Sequence, residues 1–362
     1  MRYTRFAVTG SENSSMALID DSSRRLPKPT IRDIAGLAGV SIATVSRVLN
    51  GRPDVSEETR EAVLRVVREH RYSANRSARG LSAGRTGLVG VTVPVVQAPY
   101  FSFILSGAAE ALYEHDMRIV LCPTQHEHDR EVSLLERVVD GVTDGALLML
   151  PEESNEELQA LRGHGFRFVV VDPLQALDES IPAVSAANSS GANEATQHLL
   201  SLGHRRIAAI TGPRGGMASE ERLKGYHSAL AAAGVMPDPA LLVESDFKIA
   251  GGREAASHLL ALPDPPTAIF AFNDNLAIGA LQAARARGLD VPGDVSIVGF
   301  DDSEEASIVS PPLTTVRQPL AEMGRMAVSL LMRLLENQRF ETLRVELATK
   351  LVVRESTAPP TR

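Results

Sequence analysis

The chain has 362 residues, 44% of them hydrophobic and 23% charged, with one cysteine, no tryptophan and a formal charge of −8. At about 100–200 residues per domain, this length predicts two or three domains, and the composition excludes a mainly disordered chain. No run approaches the roughly 20 apolar residues that a bilayer span needs, so no membrane partner is expected. The single Cys122 excludes an internal disulfide framework and fits a reducing, cytoplasmic setting.

An acidic total speaks against nucleic acid, but the charge is unevenly spread. Residues 28–85 carry 11 Lys/Arg against 6 Asp/Glu, whereas residues 86–362 carry 22 against 36. Such a division suggests that only the small basic part approaches a polyanion, although charge alone fits a solvated helical face equally well. Residues 1–27 read as a poorly ordered tail. Arg2 and Arg5 precede no apolar run of leader length, because Ser11, Glu12, Asn13 and Asp20 interrupt it, and Met16 offers a second start.

The basic segment predicts three helices. Thr30 caps the first, with Asp33 in its first turn; Ile31, Ile34, Ala35 and Ala38 share one face, and Gly39 ends it. Val40 fills the turn, and Ser41 caps a second helix that runs to Leu49 before Asn50-Gly51. Ser56 caps a third, with Glu57 and Glu58 in its first turn and Val63, Leu64, Val66 and Val67 toward the core. Two short helices joined by a tight glycine-containing turn make a helix-turn-helix, a spacing that other three-helix bundles share. Ala35, Val40 and Val45 are small or branched, so the first two helices can cross closely. The second then presents Ile42, Ala43, Thr44, Ser46, Arg47 and Asn50 outward. Its early residues would face base edges in the major groove, with Arg47 forking onto guanine or gripping phosphate.

The run Thr30-Ile-Arg-Asp-Ile-Ala-Gly-Leu-Ala-Gly-Val-Ser-Ile-Ala-Thr-Val-Ser-Arg-Val-Leu-Asn50 is more specific than its spacing. With Val55-Ser-Glu-Glu-Thr-Arg60 and Tyr72 through Leu81, it resembles the headpiece of the LacI/GalR family of bacterial transcriptional regulators. The resemblance implies a DNA-binding domain over residues 28–74, with Thr30 and Ser41 among its contacts. It also implies that Asn75-Arg-Ser-Ala-Arg-Gly-Leu-Ser-Ala83 belongs to a hinge helix (75–85) that folds on an operator. Asn75, Arg76, Ala78 and Arg79 would then touch DNA, and Leu81 would wedge into the minor groove and kink the duplex. Gly80 lowers helix propensity by about 1 kcal/mol relative to Ala, which suits a segment ordered only on DNA. Ala74 stands where the family often has proline, so the hinge start is less rigid.

From Leu88 onward short apolar runs alternate with amphipathic stretches. The expected strands are Leu88–Val93, Arg118–Leu121, Gly145–Met149, Phe168–Val171, Arg206–Ile210, Leu241–Val243, Ala268–Phe272 and Val295–Phe300. Helices are expected at Phe101–His115, Ser189–Leu202, Ser219–Ala233 and Asp274–Ala286. This rhythm predicts an α/β body of two Rossmann-like parallel sheets, with Leu313–Arg317 and Ala321–Leu335 crossing back between lobes. Ligands in such sheets bind beyond the carboxyl ends of strands. There the chain places Pro94, Asp172, Thr211-Gly212, Ser245 with Phe247, Asn273-Asp274 and Asp301-Asp302.

The body resembles the periplasmic-binding-protein-like core of the same family at Glu221-Arg-Leu-Lys-Gly-Tyr226, Ala271-Phe-Asn-Asp-Asn-Leu-Ala-Ile-Gly-Ala280, Val298-Gly-Phe-Asp-Asp302 and Ser310-Pro-Pro-Leu-Thr-Thr-Val-Arg-Gln-Pro319. The resemblance implies an effector-binding and dimerisation domain over residues 86–356, with 357–362 as a tail. Asp172, Arg222, Asn273, Asp301 and Gln318 fall at effector-contacting positions, with Tyr100, Phe101 and Phe247 as flat apolar faces; Asp274 and Asp302 read as structural. Sugar-binding relatives use this polar set, so a sugar is the expected effector. A purine-type pocket is the alternative, matching at Tyr100, Phe101, Arg222, Phe247 and Asp301. Its further Arg and Thr are replaced here by Gly216 and Ala218. Ile308 stands where many members carry a tryptophan.

Other features point away from chemistry. His126-Glu-His-Asp129 reads as a solvated loop, and Thr211-Gly-Pro-Arg-Gly-Gly216 lacks the full spacing of a phosphate-binding loop. Cys122 reads as a small buried hydrophobe. No catalytic constellation, cofactor loop or metal-ligand spacing stands out, so no catalytic residue, cofactor or metal is expected. A transporter's solute-binding protein would carry a leader and no basic headpiece. The expected partners are a near-palindromic double-stranded DNA operator, a small-molecule effector between the lobes, and a second copy in a homodimer, since no heptad array supports a tetramer.

Overall fold

The computed structural model describes residues 29–49, 51–70, 72, 85–96, 99–137, 142–338 and 342–361. The chain divides into two compact units, Met1–Ala83 and Gly84–Arg362. In the first, α1 (Ile31–Leu37), α2 (Ile42–Leu49) and α3 (Glu57–Glu69) pack around Ile34, Ala35, Val45, Val48, Val63 and Val66. Thr30 and Asp33 form a reciprocal cap: the Thr30 amide donates to Asp33 Oδ2 at 2.7 Å and the Asp33 amide to Thr30 Oγ1 at 3.4 Å. Both bonds from Thr30 hold the Asp33 carboxyl below its ordinary value. Gly39 turns the chain between α1 and α2 at φ +65°, a conformation that costs glycine nothing.

The body holds two six-stranded sheets. The first collects β1 (Leu88–Val93), β2 (Arg118–Pro123), β3 (Gly145–Met149), β4 (Phe168–Val171), β5 (Ala183–Ala186) and a late strand, β11 (Arg344–Leu347). Their order is β11-β5-β4-β3-β1-β2, parallel throughout. Helices α4 (Pro99–Glu114), α5 (His128–Arg137) and α6 (Asn155–Gly163) intervene. The second lobe begins at α7 (Asn188–Ser201) and runs through β6 (Ile207–Thr211), α8 (Met217–Ala232), β7 (Leu242–Glu244), α9 (Ile249–Leu259), β8 (Ala268–Ala271), α10 (Asp274–Ala286), β9 (Ser296–Asp301), α11 (Glu304–Ile308) and β10 (Thr314–Arg317). Its sheet order is β12-β10-β9-β8-β6-β7, with only the closing β12 (Lys350–Val352) antiparallel.

Three short connections join the lobes, between Ala187 and Asn188, between Arg317 and Leu320, and between Leu347 and Lys350. Leu313–Arg317, expected to cross back, remains in the second sheet as β10, registered Thr314↔Val298 on β9. The crossing lies just after it. Helix α12 (Leu320–Leu335) then returns to the first lobe and packs on α4 through Leu320, Met323, Ala327 and Leu331. The approach is very close: a β-carbon at Gly107 would collide with the Ala321 carbonyl, and one at Gly324 with the Ile104 carbonyl. Strands β5, β11 and β12 were not expected, since three or four residues cannot display a period and sheet pairing alone defines them. Residues 356–361 are docked on the second lobe rather than free. Ser356 is fully buried and its hydroxyl donates to the Ile297 carbonyl at 2.5 Å, while the Ala358 amide donates to Ser296 Oγ at 3.0 Å.

Candidate DNA-binding headpiece and ligand cleft

The packing of α2 fixes which of its side chains remain outward. Val45 and Val48 are buried in the three-helix core, so Ile42, Ala43 and Arg47 stand exposed, with Thr44 and Ser46 half-buried beside them. Ser41 starts the helix by accepting the Thr44 amide at 3.0 Å, and its hydroxyl is 2.9 Å from Thr44 Oγ1. Arg47 lies 3.6 Å from Asp54, and both side chains are more than half exposed. An exposed pair of this kind is weak enough to be exchanged for a phosphate. Thr30 is exposed at the α1 cap. Asn50, Asn75, Arg76, Ala78, Arg79 and Leu81 lie outside the described residues.

In the body, the carboxyl ends of both sheets and the second crossing bring the expected polar residues together. Asp172 follows β4 at φ +54° and accepts the Tyr100 hydroxyl at 2.7 Å. Arg222, in the second turn of α8, is 4% exposed. Its Nε donates to Asn188 Oδ1 at 2.9 Å, one terminal nitrogen donates to the Phe272 carbonyl, and the other lies 4.0 Å from Asp301 Oδ1. The guanidinium also stacks 3.8 Å above the Phe300 ring. Gln318, in the crossing after β10, donates to Asp301 Oδ1 at 2.7 Å, so one lobe connection holds a cleft carboxylate directly. Its own carbonyl oxygen is buried without a partner.

The remaining expected residues have more local roles. Asn273 caps α10 by accepting the Leu276 amide at 2.8 Å, and its Nδ2 donates to the Phe247 carbonyl at 3.1 Å. The Phe247 ring sits where a β-carbon on Gly212 would be, which ties it to the turn after β6. Phe101 is buried in the first lobe's apolar core, edge-on to Tyr100 with ring centroids 5.3 Å apart, so in the structure it supports Tyr100. Asp274 and Asp302 are structural, as expected. Asp274 accepts the Thr315 hydroxyl at 2.6 Å and the Ser303 amide at 2.7 Å; Asp302 pairs with Arg317 at 2.6 Å and with Arg354.

Burial dominates the electrostatics. It raises the Asp172 and Asp301 carboxyls above their ordinary range, while Arg222 pulls both back down. It raises Asp274 as well, with Asp301 adding to the effect. The Tyr100 phenol is raised by burial and by the Asp172 carboxylate, so it stays a hydroxyl donor. Sequence reading missed Asn188 and Phe300, which hold Arg222 in place. Asn188 follows the unrecognised β5, and Phe300 reads from sequence only as strand core. The His126–Asp129 stretch is also more structured than expected: His128 begins α5 and its Nε2 lies 3.1 Å from Glu157 Oε1. Among the described residues, no group of three or more His, Cys, Asp or Glu side chains is placed to hold a metal ion. No helix among them is long and apolar enough to cross a membrane.

Comparison with known proteins accounts for both units. Residues 30–75 match the family described as bacterial regulatory proteins, lacI family, and residues 196–357 match a periplasmic binding protein-like domain. The HTH-type transcriptional regulator DegA of Bacillus subtilis (strain 168) is 36% identical over 334 residues, which span 92% of this chain and 99% of DegA. The chain belongs to the LacI family. It is therefore a DNA-binding transcription regulator with a helix-turn-helix headpiece and a periplasmic-binding-protein-like core. Two solved LacI-family structures match over nearly their whole length. A CelR–cellobiose complex is 38% identical with a TM-score of 0.70, covering 91% of this chain and 99% of that one. The lac repressor dimer bound to operator and the anti-inducer ONPF is 27% identical with a TM-score of 0.83, covering 92% and 100%.

Proposed function

We propose that this LacI-family regulator is a cytoplasmic repressor whose operator affinity falls when an uncharged sugar binds between the lobes of its core. The observation that carries the sugar reading is the engagement of Arg222. Its donors are directed at Asn188, Phe272 and Asp301, and its face lies on Phe300. The Asp172 and Asp301 carboxylates beside it already balance its charge, which disfavours a ligand phosphate or carboxylate, while its N–H groups not bonded within the fold are left for ligand hydroxyls. The cleft further offers acceptors: the Asp172 and Asp301 carboxylates and the unpartnered Gln318 side-chain oxygen. Acceptors in a partly desolvated cleft select a ligand rich in hydroxyl donors and repel anions.

On the DNA side, the exposed α2 residues Ile42, Ala43, Thr44, Ser46 and Arg47 enter the major groove, supported by Thr30, Ser41 and Asn50. A homodimer sets two such helices in successive grooves of a near-palindromic operator. Residues 75–85 form the hinge, with Asn75, Arg76, Ala78 and Arg79 at the duplex and Leu81 between base steps. Sugar binding alters the angle between the lobes and with it the separation of the paired hinges, shifting occupancy by its differential affinity for the two states. A regulator rather than an enzyme follows from this reading, since every ionisable cleft residue acts as a binding group.

The test is a thermal-shift screen of the full chain against cellobiose, ribose, glucose, glucose 6-phosphate, adenosine and hypoxanthine, followed by operator titration with any binder. A neutral sugar should raise the melting temperature and lower operator affinity, with glucose 6-phosphate inert. Stabilisation by hypoxanthine or adenosine, with no neutral sugar acting, would replace this reading with the purine-type one.

A further inference from the structure

Outside the cleft, the first lobe holds a second group of ionisable side chains. Glu131 on α5 and Glu153 in the loop after β3 are only 2% and 1% exposed, and Thr92 of β1 beside them is 1% exposed. Glu131 Oε2 accepts the Glu152 amide at 3.1 Å. Neither carboxylate oxygen of Glu153 has a hydrogen-bond partner, nor has Nδ1 of His128, while the Thr92 hydroxyl is turned to Glu131. Besides burial and each other, the groups that act on the pair are Glu152, Thr92, Glu157 and His128, with no Lys or Arg among them. His128 is itself turned to Glu157, and the nearby His126 lies 3.6 Å from Glu152.

Two adjacent buried carboxylates without a cation are costly to ionise together, because desolvation and like-charge repulsion act in the same direction. A proton on one converts an acceptor-only group into a donor and removes one of the two charges. We propose that Glu131 and Glu153 form a proton-binding site that holds one proton at neutral pH and fastens the β3–α6 loop to the first sheet. Burial and the neighbouring Glu131 charge raise Glu153 to about 8, in keeping with this geometry.

The loop leads to the cleft. The Glu153 carbonyl accepts Gln175 Nε2 at 2.8 Å, and Asn155 Nδ2 donates to the Ala176 carbonyl at 2.9 Å. Between these residues and Asp172 lies Leu174, whose carbonyl accepts the Met217 amide from the second lobe at 2.8 Å. The proton site thus underlies the segment that makes a cross-lobe hydrogen bond. The sign follows from the raised value: folding takes up a proton, so this contribution is whole below about pH 4.5, declines as pH rises, and is lost above about pH 8.

Infrared spectroscopy of the full chain with isotope-labelled glutamate reads the proton itself. At pH 7 a protonated buried carboxyl should be visible, should vanish above about pH 8, and should be missing in Glu153→Gln. If wild type shows no protonated glutamate at pH 7, the proposal fails, whether or not the variant folds. Urea unfolding from pH 5 to 8 gives a second reading. The folding constant of wild type relative to Glu153→Gln should fall by up to about tenfold per pH unit, and a constant ratio would overturn the site. Coupling to the cleft is read from hydrogen exchange at the Met217 amide at pH 9. Faster exchange in wild type than in Glu153→Gln supports it, and equal protection removes it.

Discussion

Arg222 shows how one side chain can be fixed by its neighbours and still keep donors for a ligand. It balances Asp172 and Asp301, stacks on Phe300 and is held by Asn188. Arg222→Ala leaves two buried carboxyls without their cation, so a loss of about 3 kcal/mol in urea unfolding is expected, together with loss of the sugar response. Acidification tests the acceptors in a different way. Both carboxyls are raised by burial, so they begin to protonate at higher pH than ordinary carboxyls. Sugar affinity should therefore weaken on going from pH 7.5 to 5, measured by calorimetry, and an affinity unchanged over that interval would argue against ionised acceptors. Arg222 and Asp301 were legible because they stand in motifs after recognisable strands. Asn188 and Phe300 were not, because a partner's value depends on which side chain the fold brings to it.

At the scale of elements, apolar runs located the sheets well. Four- to six-residue runs such as Leu88–Val93 and Phe168–Val171 are buried on both faces and read as continuous hydrophobic stretches. Strands of three or four mixed residues, such as β5 and β12, carry no such signal and exist through pairing with strands distant in sequence. The contact of α4 with α12 is equally silent in sequence, because it depends on Gly107 and Gly324 meeting backbone carbonyls across 217 positions. Gly107→Ala forces the helices apart and should destabilise the body by about 1–3 kcal/mol in thermal or urea unfolding. In the headpiece, Ile34 is fully buried among a small set of core residues. Ile34→Ala should cost about 2–5 kcal/mol, enough to abolish operator binding while the body, a separate unit, melts as before.

For the whole molecule, the uneven charge makes a prediction that neither unit makes alone. Residues 28–85 carry eleven Lys/Arg against six Asp/Glu, whereas residues 86–362 carry 36 Asp/Glu against 22 Lys/Arg, so on the proposed reading the headpiece attracts an operator and the body repels it. Operator affinity should fall by about a thousandfold or more between about 50 and 200 mM salt, as fluorescence anisotropy would record. Leu81→Ala should weaken operator binding far more than binding to random duplex, and equal losses would rule out a wedge. Finally, the three lobe connections bear on how the protein is made. The first sheet is begun at Leu88 but lacks β11 until Leu347 has emerged, and the second lobe, opened at Asn188, is finished only by β12. At about 5–20 residues per second, the ribosome needs roughly 8–30 s to travel from Asn188 to Leu347. Until β11 is made the nascent first lobe exposes the edge of β5, and until α12 is made it also exposes the apolar face of α4, so newborn chains carry an open sheet edge that invites pairing with other chains.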